Sequence, residues 1–214
     1  MADKILASNE LVNRRQTESE LGKVDLSKEQ LSKIDKLRKK MTEGKKKDEK
    51  PKEILKFPDG SIFEGNAKDG VPHGKGEMRY KDNTIYRGEF ADGKANGHGT
   101  ITFPDRSYYD GYWLNGKYEG SGVFNSASGA KYDGHWKEGK YHGKGRFDWP
   151  DGSYYEGHWE ACKESGKGIF MGSDSTKYDG YWKNGMFNGE GKLIDNKGNV
   201  HQGVFQDCKL VSQS

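Results

Sequence analysis

The chain has 214 residues; 31% are hydrophobic, 32% are charged and 31 residues are glycine, which leaves little material for a thick, layered core. Its net charge of +3 is split unevenly: residues 1–56 carry 16 Lys/Arg against 11 Asp/Glu, a surplus of +5, while residues 57–214 carry 20 against 22, a balance of −2. The nearly neutral larger part excludes a dedicated nucleic-acid surface, which needs a basic patch, and no apolar run is long enough to span a bilayer.

Residues 1–56 read as a charged leader. Ser27 and Gln30 fit a capping box, in which the hydroxyl accepts from the first helical turn and the amide reaches back. Leu31, Ile34, Leu37 and Met41 follow at helical spacing, and Gly44 is a stop signal, so one amphipathic helix is expected near 26–43. Asn9 to Leu21 is a weaker helical stretch. A Lys-rich linker follows. The N-terminus lacks the apolar centre of a signal peptide and neither end carries a lipidation pattern, so a cytoplasmic protein is expected.

From Phe57 onward one pattern returns every 23 residues. The copies start at Phe63, Tyr86, Tyr109, Tyr132, Tyr155, Tyr178 and His201, without insertion. A half-unit, six full repeats over 63–200 and a truncated seventh thus make an array over 57–208, with 209–214 left as a tail. So strict a period marks a repeat architecture.

Each repeat reads as a β-hairpin. Strand alternation puts positions 1, 3 and 5 on one face. Position 1 is aromatic, position 3 is Gly (Gly111, Gly134, Gly157 and Gly180 in the middle copies) and position 5 is Trp113, Trp136, Trp159 or Trp182. Glycine between two rings lets an aromatic side chain lie flat on the backbone. These residues are assigned to structure. Asn115-Gly116, Asp92-Gly93 and their equivalents are hairpin turns. The returning strand has Gly at positions 12 and 14 and an apolar residue at 16. The fold expected is all-β: an elongated rod or half-pipe of consecutive antiparallel hairpins behind a helical leader. Phe57-Pro58-Asp59, Phe103-Pro104-Asp105 and Trp149-Pro150-Asp151 recur at 46 residues, suggesting two kinds of connection in alternation.

Chemistry is scarce in this pattern. Histidines that share a repeat position, His135 with His158 and His73 with His142, recur at multiples of roughly 10 Å, too far apart for one metal ion. The Gly-Lys-Gly runs continue as strand, so they do not form a phosphate loop, which needs a helix after it. Cys162 and Cys208 stand two repeats apart, about 19 Å at strand spacing, beyond the reach of a disulfide. No nucleophile meets a base. No enzyme activity, cofactor, metal or small-molecule substrate is expected. Positions 23, 2 and 4 face away from the Gly/Trp ladder, and Tyr108, Tyr112, His135, Tyr154, His158 and Tyr181 are the candidate partner-binding residues there, because rigid aromatics give large contact area. Lys39, Lys40, Lys45, Lys46 and Lys47 of the leader are the candidates for contact with anionic lipid.

The motif Tyr-Glu/Asp-Gly-x-Trp-x-x-Gly-x-x-x-Gly-x-Gly, clearest in Tyr132–Trp136 and Tyr155–Trp159, resembles the MORN repeat (membrane occupation and recognition nexus) over about 150 residues. Departures are Ala67 at the first position 5 and Cys162 and Cys208 at turn glycines. The resemblance implies a scaffold or adaptor that binds protein partners in a cytoskeletal assembly, of the ciliary or axonemal kind to which radial spokes belong. The alternative is a peripheral phospholipid-binding adaptor. An open strand edge near Phe205 suggests a homodimer.

Overall fold

The structure, a computed structural model, describes residues 52–213. The helix expected near 26–43 and the leader lysines Lys39, Lys40, Lys45, Lys46 and Lys47 lie outside the described residues. Residues 51–214 form one compact unit.

Fifteen strands run in chain order: β1 (Glu53–Lys56), β2 (Ile62–Lys68), β3 (Val71–Arg79), β4 (Ile85–Ala91), β5 (Lys94–Thr102), β6 (Tyr108–Leu114), β7 (Lys117–Asn125), β8 (Lys131–Lys137), β9 (Lys140–Asp148), β10 (Tyr154–Glu160), β11 (Lys163–Met171), β12 (Lys177–Lys183), β13 (Met186–Ile194), β14 (Val200–Gln206) and β15 (Lys209–Gln213). They make a single unclosed sheet in which each strand pairs antiparallel with its neighbours in sequence. The array is therefore longer than its repeats suggest. β1 occupies residues assigned to the leader, and β15 occupies the tail. Both correct the expected boundaries at 57 and 208: Ile54 and Leu55, and Leu210 and Val211, can each extend the ladder as strand without carrying the repeat's Gly/Trp code. β14 is consequently paired, so the edge strand at the C-terminal end of the sheet is β15 and not the strand around Phe205.

Alternation separates two faces. In β6 burial switches at every residue: Tyr109, Gly111 and Trp113 are buried, while Tyr108, Asp110, Tyr112 and Leu114 are exposed. The same phase holds in the other copies, which gives an inner aromatic face and an outer polar one.

The inner face is a layer of rings one side chain thick. Tyr132 lies across the glycine pair Gly134 and Gly145, which face each other across β8 and β9. A Cβ on Gly134 would stand 2.5 Å from the Gly145 Cα, and one on Gly145 would run into the Tyr132 hydroxyl. Each ring meets the next edge-on. Tyr132 is 5.1 Å from Trp136 and 5.6 Å from Trp159, and Tyr155 continues at 5.0 Å from Trp159 and 4.9 Å from Trp182. Such pairs add about 0.5–1.5 kcal/mol each beyond the area they bury. The polar atoms of the rings are also satisfied. The Nε1–H groups of Trp113, Trp136, Trp159 and Trp182 donate to the carbonyls of Gly99, Gly122, Gly145 and Gly168 in the preceding repeat.

A further row of rings was not anticipated. Tyr118 stacks on Tyr109 with centroids 3.8 Å apart, Tyr141 on Tyr132 at 3.9 Å, and Phe187 on Tyr178 at 3.7 Å. Glu164 takes that position in the repeat starting at Tyr155, where burial pushes its carboxyl up. Burial likewise pushes Tyr118, Tyr141 and Tyr178 up to about 12, and Tyr109, Tyr132 and Tyr155 higher still.

Two turn types join the strands. The hairpin turns hold both central residues at positive φ, as a type I′ turn requires: Asn115 at 51° with Gly116 at 80°, but also Ala161 at 49° with Cys162 at 69° and Asp207 at 48° with Cys208 at 65°. The repeat-to-repeat connections are five-residue turns with one backbone pattern throughout. Trp149 N–H donates to Ser153 O and Gly152 N–H to Trp149 O, and the equivalents at Phe57, Tyr80, Phe103, Ser126, Gly172 and Asp195 do the same. The expected alternation of two connections is thus absent from the backbone; the 46-residue spacing of Pro58, Pro104 and Pro150 lies in side chains only. In most of these turns an Asp closes the loop: Asp151 accepts from the Ser153 N–H at 2.9 Å and from its hydroxyl at 2.6 Å. Those bonds hold the carboxyls of Asp59, Asp82, Asp105, Asp151 and Asp174 below the usual range.

Candidate functional site: the outer face of the sheet

The outer face gets its shape from a slip in register inside each hairpin. Gly134 pairs with Gly145, but His135 pairs with His142, so β9 carries extra residues across the slip. Gly143 turns the chain there at φ 62°. In the six full repeats the slip is by two residues, so every side chain keeps its face; in the last hairpin, β14–β15, it is by one. The tyrosine ring at position 1 then donates to the position-4 carbonyl at the slip: Tyr109 to Tyr112, Tyr132 to His135, Tyr155 to His158 and Tyr178 to Tyr181, all at 2.8–3.0 Å. The buried layer fixes the backbone of the very residues that project outward.

Two rows of side chains cross the strands on this face. In the first, Asp133 faces Arg146, Arg146 faces Glu156, Glu156 faces Ile169 and Ile169 faces Asp179. Arg146 contacts Asp148 at 2.7 Å and Glu156 at 3.3 Å and lies 3.8 Å over the Tyr154 ring. The hydrogen bond to Asp148 drives its pKa further up. In the second row, Lys144 faces His158 and Lys167 faces Tyr181. Between the rows runs an open groove of about 640 Å³ from β8 to β12, floored by Gly145, Gly157 and Gly168. A second groove of about 470 Å³ continues from it, sharing Lys167 and Asp179 and lined by Tyr181.

The candidate residues therefore divide. His135 and His158 line the main groove and are exposed, and Tyr181, 49% exposed, lines its continuation. Tyr112, 54% exposed, stands apart with His98, ring to ring at 5.3 Å. Tyr108 is exposed and Tyr154 half-buried under Arg146, and neither lines either groove. Gly111, Gly134, Gly157, Gly180 and Trp113, Trp136, Trp159, Trp182 all sit in the inner layer. Lys144 and Lys167 were not singled out from the sequence as site residues, although extending the alternation through the Gly-x-Gly run places both lysines outward. Cys162 and Cys208 are free and exposed in their turns. Among the described residues no group of three or more His, Cys, Asp or Glu could hold a metal ion.

A one-layer sheet of tandem hairpins, with an aromatic face and a grooved polar one, is the architecture of a tandem-repeat protein. A family profile, the MORN repeat, matches residues 63–85, 86–108, 109–131, 132–154, 155–177 and 178–200. The chain belongs to the MORN-repeat family, whose members are generally non-enzymatic scaffolds or adaptors acting on proteins or membranes. No curated protein matches it significantly. Among solved structures it is similar to the TCP domain of Drosophila melanogaster SAS-4 (dCPAP) in complex with a proline-rich motif of Ana2 (dSTIL), at 11% identity and TM-score 0.44, over 72% of this chain and 85% of that one. The wild-type TCP10 domain of Danio rerio CPAP gives 17% identity and TM-score 0.34 over 70% and 64%. The G-box domain of the microcephaly protein CPAP gives 14% and 0.35 over 72% and 99%.

Proposed function

We propose that the protein is a non-enzymatic adaptor that binds protein partners on the outer face of its sheet, in the cytoplasm, within a cytoskeletal assembly of the ciliary or axonemal, radial-spoke-like kind. The observation that carries this reading is the groove that runs from β8 to β15, rimmed by exposed His135, His158 and Tyr181 whose backbone the aromatic layer fixes. Tyr108, Tyr112 and Tyr154 lie outside the groove and extend the surface on its flanks. The ciliary setting rests on the family resemblance.

The test is purification of the tagged protein from ciliated cells, intact and with His135, His158 and Tyr181 changed to Ala. The expected result is a defined set of partners with the intact chain, in the axonemal fraction, reduced by the triple variant. An intact chain recovered free of partners sinks the reading. Identical partners from both proteins place binding elsewhere.

The leader supports a second reading. Its surplus of +5 suits a peripheral phospholipid-binding adaptor, with Lys39, Lys40, Lys45, Lys46 and Lys47 against anionic headgroups. Co-sedimentation with anionic vesicles should fall when these lysines are changed to Gln; unchanged sedimentation removes it. A homodimer would form by a second copy pairing along β15, and sedimentation of the chain with and without residues 209–214 decides that point.

A further inference from the structure

The charges of the outer groove are unequally answered within the sheet. On the acidic row, Asp133 meets the Lys131 Nζ at 3.3 Å and Glu156 meets Arg146 at 3.3 Å. Asp179, which bounds the groove on β12, has Lys192 directly across on β13. On the other row, among the described residues, no carboxylate comes within ion-pair distance of Lys144 or Lys167. Both lysines are exposed, and both line the groove. Two of the three carboxylates are thus answered from within the sheet by an ion pair and the third faces a lysine in register, whereas the two lysines are left for a ligand.

The spacing of the two lysines restricts that ligand. Lys144 stands on β9 and Lys167 on β11, so they are two strand intervals apart, roughly 9.6 Å. A polypeptide in extended polyproline II form advances about 3.1 Å per residue with three residues per turn, so carboxylates three residues apart project to the same side about 9.3 Å from each other. The groove runs across the strands from β8 and continues to β15, which gives an extended chain room to lie along it. The floor of Gly145, Gly157 and Gly168 lets that chain come close to the sheet.

Resting on the adaptor reading above, we infer that this groove takes an extended acidic segment of a partner protein, with two carboxylates three residues apart set on Lys144 and Lys167. Such pairing gives register along the sheet as well as attraction. The array offers this site at one place. The residues equivalent to Lys144 are His98 in the second repeat, Ser121 in the third and Glu190 in the sixth. Lys75 in the first repeat has Glu89 facing it across the strands.

The experiment measures binding of fluorescent nonapeptides to the full chain by anisotropy. One peptide has Glu at every third position; the others have Gln or Lys there. The Glu peptide should bind at least about tenfold more tightly than the Gln peptide, a difference of about 1.4 kcal/mol, and the Lys peptide should not bind. Lys144→Glu with Lys167→Glu should reverse the order of the Glu and Lys peptides. Both changes are at exposed positions, and circular dichroism confirms that the sheet is intact. Equal binding of Glu and Gln peptides overturns the inference, as does undiminished Glu-peptide binding by the double variant, or binding to anionic vesicles alone. The two readings fail separately. If the partners recovered from cells depend on His135, His158 and Tyr181 but not on Lys144 and Lys167, the acidic ligand is wrong and the adaptor stands. If they depend on none of these residues, the outer face itself is wrong.

Discussion

The hydroxyl of Tyr132 donates to the carbonyl oxygen of His135 at 2.9 Å, so a fully buried ring on one face of the sheet fixes the backbone of a groove residue on the other. The bond crosses the register slip, where the strand ladder is interrupted. Tyr132→Phe keeps the ring and removes the bond. Loss of about 1–2 kcal/mol of stability is expected, because a part-buried carbonyl is left without its donor. Urea titration of the single variant checks this. A stability equal to the parent's would mean that water replaces the hydroxyl at no cost.

Gly134→Ala and Gly145→Ala should be worse. Each methyl would enter space held by the Tyr132 ring and the facing strand. Forcing a ring off its bed in a one-layer core has few ways to relax, and a loss of about 2–3 kcal/mol per substitution is expected. Gly139→Ala is the control, since nothing lies within 4 Å of its added carbon and only its positive φ is strained. The contrast in melting temperature between Gly134→Ala and Gly139→Ala measures the crowding term, and equal losses at the two sites would contradict it.

Cys162→Gly should stabilise the protein. Ala161 and Cys162 both hold left-handed φ angles that cost a side chain roughly 1–2 kcal/mol. Glycine removes that strain at one of them and returns part as chain entropy, so a net gain of about 0.5–1 kcal/mol is expected. Equilibrium unfolding under reducing conditions measures it, and a decrease would show that the thiol makes a contact of its own.

Alkaline pH should unfold the sheet through its tyrosines. Burial raises the folded-state values of Tyr118, Tyr141 and Tyr178 to about 12, against about 10 in an unfolded chain. The folded state therefore holds protons that the unfolded state releases. The stabilisation is complete below about pH 10 and is lost as pH rises through the folded values. Tyrosinate absorbance from these rings and loss of the far-ultraviolet signal should rise together between about pH 10 and pH 12. Full ionisation with the sheet intact would contradict burial as the cause.

The sequence made the repeat plain because two codes coincide in it. A strict 23-residue period fixes the hairpin length, and Gly with Trp at alternate positions fixes which face is buried. The stacked rings at Tyr118, Tyr141 and Phe187 were harder to see, since the same position holds Pro72, Ala95 and Glu164 in the other copies. The terminal strands β1 and β15 carry no Gly/Trp pattern, and only pairing with a neighbour identifies them. The groove was half legible. His135 and His158 follow from alternation, but whether a lysine is already paired is decided by what stands across the strands: Arg146 answers Glu156, and among the described residues no carboxylate answers Lys144. Such facts depend on side-chain reach and not on spacing in the chain.

Because each strand pairs only with its neighbours in sequence, the sheet is a ruler with one graduation per repeat. Every 23 residues advance the surface by two strand intervals, roughly 9.6 Å, and the rings of one copy fit those of the next without regard to how many follow. Excising residues 86–108 would bring Tyr109 against the first copy as Tyr86 now stands, shorten the molecule by one graduation and leave the Lys144–Lys167 interval unchanged. Excising 155–177 would shorten it equally and erase that interval. Position on the outer face is in this sense written as distance, and the number of copies sets how far apart two points on that face are held.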